Sequence, residues 1–124
     1  MMLPKALNIS PINKTGQYMY SGGFQVRGIE SNDCQLSLGR YWNGELALYK
    51  LYPRLTKSDL PFAQDCFGDQ YFEREGIVHF LAAETGEIKS LNKTPIHFLK
   101  WVEQNPIEHL NLPENLNLEP GFLL

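Results

Sequence analysis

Two short turns that contain glycine constrain this chain more than any other feature of its sequence. The first is the Glu-Gly pair at residues 75–76, which separates two β-rich runs, residues 69–74 and 77–82. A two-residue connection with glycine is typical of a β-hairpin. The second is Ala-Glu-Thr-Gly at residues 83–86, with the composition of a type I turn closed by a left-handed residue, and residues 87–91 continue beyond it. Together the two turns predict three antiparallel strands in a meander.

A C-terminal helix is predicted to pack on this sheet. Residues 77–83 are apolar at both sets of alternating positions except at His79, so we expect a central strand that is covered on both faces. Thr94 is suited to a helix N-cap, and the next residue is a proline followed by an apolar stripe. We therefore expect a helix over Pro95–Gln104 and a short second helix that begins after Asn105.

The N-terminal half has weaker patterns. Residues 24–29 alternate apolar and polar side chains, which predicts a half-buried strand. Residues 45–52 form a second strand candidate, entered through an Asn-Gly turn at residues 43–44, although their Ala and Leu content leaves a helix open. Residues 1–21 are interrupted by proline and glycine and predict an irregular arm, with a strand near residues 18–20.

Length and composition indicate one domain over residues 1–124. The chain is 43% hydrophobic and 20% charged, which is typical of a globular protein with a single core. The tail, residues 111–124, predicts irregular structure, and its apolar end at residues 122–124 suits docking on the domain or a homodimer contact. The expected fold class is α+β, with a mostly antiparallel sheet flanked by a C-terminal helix.

Charge and cysteine content limit the classes of partner and the compartment. Eleven basic and fourteen acidic residues give a net charge of −3, which disfavours direct binding to a nucleic acid backbone. We find no signal-peptide pattern and no apolar run near the roughly 18 residues of a membrane helix, so we expect no membrane partner. The two cysteines, Cys34 and Cys66, have no metal-binding or disulfide spacing, which favours a cytoplasmic protein.

The usual catalytic and metal-binding motifs do not occur in the sequence. It has no GxSxG, HExxH, Walker A or GxGxxG pattern. The histidines, His79, His97 and His109, have no i, i+4 pair, so we expect no metal site and no cofactor. For His79 we expect a strand residue with one ring nitrogen bonded to the backbone.

Five further side chains have both a structural and a functional interpretation. Asp65 and Asp69 suit either a pair of catalytic carboxylates or turn residues that bind their own backbone, and the second is favoured. Cys66 is interpreted as a small buried hydrophobic residue rather than a nucleophile. Trp42 and Trp101 are interpreted as core residues.

The middle of the chain resembles the SUKH superfamily, which joins bacterial Smi/Knr-like immunity proteins with fungal regulators of cell-wall assembly. The resemblance depends on Leu-Pro-Phe-Ala-Gln-Asp-Cys-Phe-Gly-Asp-Gln-Tyr-Phe at residues 60–72, Gly-Ile-Val at 76–78 and Ala-Glu-Thr-Gly-Glu-Ile at 83–88. Gly-Gly-Phe at 22–24 and Tyr-Trp-Asn at 41–43 agree in order. Many relatives begin with amphipathic helices, and residues 1–21 have no such pattern.

The resemblance implies a mostly antiparallel sheet with flanking helices, no enzymatic activity, and a cytoplasmic role. That role is to bind and neutralise a protein toxin, often a nuclease, encoded nearby. For the motif residues, a structural role is favoured over direct contact with the partner, with Phe62 and Phe67 expected in the core and Asp69 in turn hydrogen bonds. The motif residues are Phe62, Asp65, Phe67, Gly68, Asp69, Thr85, Gly86 and Trp101.

Acidic side chains are our candidates for contact with a partner. An acidic surface accelerates encounter with a basic nuclease because complementary potentials steer association. The candidate partner-binding residues are Asp69, Glu73, Glu75, Glu84 and Glu87. Two alternatives stay open: an intracellular scaffold or regulator linked to cell-wall assembly, and a small hydrolase that uses Asp65 and Asp69.

Overall fold

A six-stranded sheet forms the centre of the computed structural model, which describes residues 3–114. The strands lie in sequence order and every neighbouring pair is antiparallel. From β1 to β6 they are Gln17–Met19, Phe24–Val26, Leu60–Asp65, Gln70–Arg74, Ile77–Leu81 and Ile88–Ser90. The fold is therefore α+β with an antiparallel sheet, as the sequence predicts.

The helices are short and lie at both ends of the chain and in its middle. The α-helices α1 to α3 are Leu38–Trp42, Pro95–Gln104 and Pro106–His109. Three single turns of 3-10 helix are Lys5–Leu7, Cys34–Leu36 and Leu48–Lys50. The predicted caps of α2 and α3 are confirmed, because the Thr94 side chain accepts from His97 N–H and the Asn105 side chain accepts from Glu108 N–H.

The predicted meander is confirmed in β4, β5 and β6. The β4–β5 turn has φ angles of 53° at Glu75 and 82° at Gly76, the left-handed conformation that a two-residue hairpin turn requires. The backbone N–H of Gly76 also donates to Glu73 Oε1 at 2.7 Å. The β5–β6 turn closes with a left-handed Gly86, at φ 75°.

Strand β5 lies between β4 and β6 and contributes to the hydrophobic clusters on both faces, as predicted, but it is not the most buried strand. The most buried strands are β3 and β4, in which only Gln64 and Arg74 are not buried, whereas β5 lies next to the edge strand and three of its five residues are half-buried. The sequence did not predict β3, because Pro61 argues against a central strand. A register shift between Leu60 and Ala63 accommodates this proline in the sheet.

Residues 45–52 do not form a strand, which corrects the second strand prediction. Their regular part is the 3-10 helix Leu48–Lys50, and α1 ends just before them at Trp42. Asn43 has a φ of −137°, so the Asn-Gly pair does not form the expected positive-φ turn. Ala47 and Leu48 are buried while their neighbours are not, and this segment packs on the sheet as a layer instead of joining it.

The sheet separates two hydrophobic clusters, so both of its faces are covered. The larger cluster joins one face to α2 and the segments around it, with Phe24, Phe62 and Phe98 fully buried. The smaller cluster lies on the other face and joins Phe72 and Leu81 to the residues near the 3-10 helix Leu48–Lys50. Helices and turns thus flank both sides of the sheet.

The N-terminal segment packs into the larger cluster. Residues 3–21 contain one 3-10 turn and β1, which confirms a strand close to the predicted residues 18–20. Leu7 and Ile12 are fully buried in the larger cluster. The apolar end predicted to dock, residues 122–124, lies outside the described residues.

Candidate functional site

A cavity of about 320 Å³ opens at the end of the sheet where the β3–β4 turn faces α2 and α3. Its walls come from four strands, the turn and both C-terminal helices. The lining residues are Asp65, Phe67, Asp69, Tyr71, Phe80, Lys89, Leu91, Trp101, His109, Leu110 and Asn111.

Strand register brings three of these side chains side by side. Tyr71 of β4 lies opposite Phe80 of β5, and Phe80 lies opposite Lys89 of β6. Residues directly opposite each other in a sheet share a face, so the three form a row beneath the cavity. The rings of Tyr71 and Phe80 meet edge to face, with centroids 5.5 Å apart.

The carboxylate of Asp65 organises the turn at the mouth of the cavity. Asp65 Oδ1 accepts from the backbone N–H groups of Phe67 at 3.0 Å and of Asp69 at 3.1 Å. Its Oδ2 accepts from the hydroxyl of Tyr71 at 3.0 Å. Only 4% of Asp65 is exposed, whereas 55% of Phe67 is exposed. The turn therefore holds an aromatic ring outward at the rim.

Burial controls the electrostatics of this corner. Burial raises the pKa of Asp65, and the nearby charge of Asp69 raises it further, although the hydrogen bonds to its carboxylate act in the opposite direction. Burial and the neighbouring carboxylate raise the pKa of the Tyr71 hydroxyl well above its usual value. The ion pairs within residues 3–114 join Arg40 to Glu45 and Arg74 to Asp59, so none of them reaches Asp65.

A stacked pair of rings forms the opposite wall. The rings of Trp101 and His109 lie 3.7 Å apart and almost parallel, at 6°. His109 Nδ1 also lies 2.6 Å from the carbonyl oxygen of Trp101, and the ammonium of Lys93 lies 4.5 Å from the Trp101 ring centre. These contacts attach α3 firmly to α2 beside the cavity.

Four of the eight motif residues lie around this cavity. Asp65, Phe67, Asp69 and Trp101 line it. Phe62 lies in the core and is fully buried. The prediction that Phe67 is also a core residue is wrong, because the hydrogen bonds of Asp65 direct this turn away from the core.

The second motif segment joins the first through one hydrogen bond. Asp69 Oδ1 accepts from the backbone N–H of Ala83 at 2.8 Å, which connects the β3–β4 turn to the β5–β6 turn. Within the second turn, Thr85 Oγ1 accepts from Glu87 N–H at 3.2 Å. The separation of the two motif segments in the sequence thus corresponds to two turns that lie side by side.

The five candidate acidic residues do not form one patch. Glu73 and Glu75 lie at the β4–β5 end of the sheet, whereas Asp69, Glu84 and Glu87 lie at the opposite end. Glu73 is buried, with 5% exposed, and its carboxylate caps the hairpin turn. Of the three candidates at that opposite end, Glu84 and Glu87 are exposed and Asp69 is half-buried.

The structure also places the cysteine, tryptophan and histidine residues that the sequence analysis considered. Cys66 is exposed, so the interpretation of a buried hydrophobic residue is wrong, and partial burial and Asp65 raise the pKa of its thiol. Both tryptophans are half-buried against the larger cluster. His79 Nδ1 lies 3.1 Å from the carbonyl oxygen of Ile77, which confirms the predicted backbone contact. Within residues 3–114, no three His, Cys, Asp or Glu side chains come together in a way that suits a metal ion.

Sequence patterns did not indicate four of the residues that shape this region. Tyr71, Phe80, Lys89 and His109 line the cavity because of strand register and helix packing. The pattern of β5, apolar at both sets of alternating positions except at His79, indicated only that both faces of this strand are covered, including the face beneath the cavity. It gave no information on which helix covers that face.

No helix in the described part of the chain has the length and apolar character needed to cross a membrane. Comparisons of the chain with protein-family models, with curated proteins and with solved structures found no match.

Proposed function

We propose that this chain is a non-catalytic protein-binding domain of the SUKH type, and that it acts in the cytoplasm as an immunity protein against a protein toxin. The observation that carries this proposal is the exposed ring of Phe67, held at the rim of the cavity by a turn that Asp65 organises. The resemblance of the motif residues to the superfamily supports the same role.

An exposed aromatic residue on a well-ordered turn suits a binding anchor. Aromatic side chains supply much of the energy at protein interfaces, because they bury a large area and lose little conformational entropy. The turn below Phe67 is tied to β4 through Tyr71 and to the next turn through Asp69. The turn should therefore lose little conformational entropy when a partner binds.

Three of the candidate carboxylates, two at the cavity and one at the β4–β5 turn, already serve as hydrogen-bond acceptors for the protein itself. Asp65 accepts three hydrogen bonds, Asp69 accepts one from Ala83, and Glu73 accepts one from Gly76. A carboxylate that caps backbone N–H groups is restrained in position and has fewer lone pairs for a substrate. This use favours a binding role over the hydrolase alternative.

The charge of the exposed surface suits a basic partner. The chain has a net charge of −3, and Glu84 and Glu87 are exposed at the same end of the sheet as the cavity. Negative potential at this end would accelerate encounter with a basic nuclease and disfavour acidic proteins.

Co-expression with the product of the neighbouring reading frame tests the proposal. We expect a 1:1 complex by size-exclusion chromatography with light scattering, and survival of cells that produce the toxin only when this chain is present. An unrelated acidic protein of similar size is the control. If no toxin encoded next door is bound or neutralised, the immunity role is wrong, and a pull-down that returns cell-wall-assembly proteins would support the regulator alternative.

A further inference from the structure

We infer that the cavity beside Phe67 binds an arginine side chain presented by the protein partner. This inference rests on the proposed function, since it names the chemical group that the partner inserts. Three observations support it: a buried carboxylate that forms no ion pair within residues 3–114, aromatic walls, and a volume suited to a single side chain.

The carboxylate is that of Asp65. It lines the cavity, only 4% of it is exposed, and no ion pair of the described residues involves it. A buried carboxylate is costly unless it is paired and hydrogen-bonded. Its three internal hydrogen bonds use three of the roughly four acceptor positions of a carboxylate, which leaves one on Oδ2. A cation that enters the cavity would supply both the missing charge and the missing donor.

The walls suit a cation because they are rich in aromatic rings. Phe67, Tyr71, Phe80 and Trp101 all line the cavity, and aromatic faces attract cations through their quadrupoles. The ammonium of Lys93 already lies 4.5 Å from the Trp101 ring centre in the free protein. Because Lys93 and the stacked His109 ring already contact Trp101, the exposed ring of Phe67 at the rim is the aromatic group that an incoming cation would contact.

Arginine fits the site better than lysine. The guanidinium is planar, weakly hydrated and able to donate several hydrogen bonds while it stacks on a ring. At about 320 Å³, the cavity lies at the small end of the range of about 300 to 1,000 Å³ that is usual for ligand pockets. That volume suits one long side chain.

Besides Asp65 and Tyr71, three further ionisable groups line the cavity, those of Asp69, Lys89 and His109. Lys89 is exposed on the edge strand β6, and its ammonium would repel an incoming guanidinium. This repulsion makes it possible to test whether the cavity binds a cation or an anion. Removal of the Lys89 charge should strengthen the binding of a cation and weaken the binding of an anion.

The test uses two probes that differ in charge and not in shape. We expect N-acetyl-arginine amide, titrated into the purified ¹⁵N-labelled protein, to give saturable chemical-shift changes at the Trp101 indole and at the amides of Phe67 and Asp69. N-acetyl-citrulline amide has nearly the same shape without the charge, and it should give no saturable change in the same concentration range.

Variants then distinguish a cation site from a non-specific apolar pocket. Lys89→Gln should tighten binding of the arginine probe by roughly two- to fivefold, as expected for one like charge removed near a surface site. Phe67→Ala should weaken it. Lys50→Gln and Leu51→Ala, on the 3-10 helix and beside it at the other face of the sheet, should leave it unchanged. Equal binding of the citrulline probe, weaker binding of Lys89→Gln, or no saturable shift at the cavity would overturn the inference.

These outcomes are distinct from those that test the proposed function. The probe titration needs no partner, so arginine binding by a protein that neutralises no toxin would disprove the immunity role and leave the cation site intact. Conversely, the protein could neutralise a toxin while its cavity fails to bind the arginine probe. That result would support the immunity role and exclude the arginine contact.

Discussion

Arg27 is a charged residue in a fully buried position. Its guanidinium donates to Pro61 O at 2.7 Å, Gln64 Oε1 at 2.7 Å and Gln70 Oε1 at 2.8 Å. The guanidinium also lies 4.0 Å from the ring centre of Tyr41. Burial lowers the pKa of Arg27 to about 10, so the group stays charged near neutral pH. This single side chain therefore joins β3, β4 and α1 behind the end of β2.

Substitution of Arg27 by lysine tests that role. Lysine keeps the charge but cannot present a planar group to three acceptors and one ring, so we expect Arg27→Lys to lower the free energy of unfolding by about 2 kcal/mol or more. Urea denaturation measures the change. Arg54→Lys, at an exposed position, is the control, and an equally small effect at both positions would contradict the assigned role.

The Asp59–Arg74 pair predicts a specific dependence on pH. Arg74 donates from Nε to Oδ1 and from a terminal nitrogen to Oδ2 of Asp59, both at 2.8 Å. Burial opposes ionisation of Asp59, but hydrogen bonds from Arg74 and Thr56 and the charge of Arg74 outweigh it and lower the pKa. A lowered carboxyl pKa stabilises the fold above the unfolded-state value near 3.8, and that stabilisation is lost as the pH falls through the folded-state pKa.

Arg74→Met is therefore expected to destabilise the protein most at neutral pH. It leaves a buried carboxylate unpaired, and we expect a loss of about 2 kcal/mol at pH 7, at the low side for a buried pair because Arg74 is one-third exposed. The loss should shrink at a pH below the unfolded-state value of 3.8, as the pH falls through the lowered pKa of folded Asp59 and this carboxylate becomes protonated. Chemical denaturation at both pH values checks this, and a loss that grows on acidification would show that the Asp59 carboxylate is not its cause.

At the residue scale, burial of polar groups was the feature that the sequence did not predict. The alternation around β2 placed Arg27 on a polar set of positions, which suggested a solvated face. Tyr41 of α1 covers Arg27 on that face, and the buried guanidinium bonds to Gln64 and Gln70. Phe67 shows the opposite case, because its local turn and not its hydrophobicity determines its exposure.

The β3–β4 turn is the element on which the candidate site depends. Its geometry comes from one carboxylate that accepts hydrogen bonds from Phe67 N–H, Asp69 N–H and the Tyr71 hydroxyl. If that carboxylate is lost, three donors near the cavity lose their partner at the same time. The turn should then become mobile while the rest of the sheet persists.

Asp65→Ala is expected to lower the free energy of unfolding by about 2 to 4 kcal/mol, since unsatisfied buried donors cost about 1 to 3 kcal/mol each and water replaces part of the bonding. Hydrogen exchange at the amides of Phe67 and Asp69 should accelerate more than exchange in β4. Asp33→Ala is the matched control, because Asp33 also accepts a backbone N–H, from Gln35, but at an exposed site. Equal losses in the two variants would argue against a special role for Asp65.

Elements held by local signals were predicted well, and elements held by distant contacts were not. The turn at Gly76 and the capped start of α2 depend on residues next to each other in the chain, and both are confirmed. Strand β3 pairs with β2, which is distant in the sequence, and with β4, which follows after a turn. Its Pro61 argued against a strand, so the sequence did not predict it. Helix α1 lies in a polar, glycine-containing stretch whose helicity depends on packing against β3.

At the scale of the whole molecule, the sheet has helices or turns on both faces and one aromatic cavity at its end. The fold class followed from the meander and the amphipathic helix, because these two features require an antiparallel sheet with a helical cover. The position of the cavity did not follow, because α2, α3 and four strands contribute to it and their relative placement is tertiary. The motif residues nonetheless include four of its lining side chains.

In this arrangement, the residue proposed to bind the partner differs from the residue that stabilises the turn. Phe67 is exposed and makes little contribution to the core, whereas Asp65 beneath it holds the turn. A change at Phe67 should therefore alter recognition of a partner without altering the fold. Leu51, which is 67% exposed near the opposite face, offers a matched apolar position outside the proposed surface.

The most direct measurement is the dissociation constant of the toxin complex, determined by titration calorimetry for the wild type, Phe67→Ala and Leu51→Ala. We expect Phe67→Ala to weaken binding by about tenfold or more, as for an interface anchor, with the free energy of unfolding changed by no more than about 0.5 kcal/mol, and Leu51→Ala to bind as the wild type does. Unchanged affinity in Phe67→Ala together with a loss in Leu51→Ala would place the binding surface on the other side of the sheet and contradict the proposed role of Phe67.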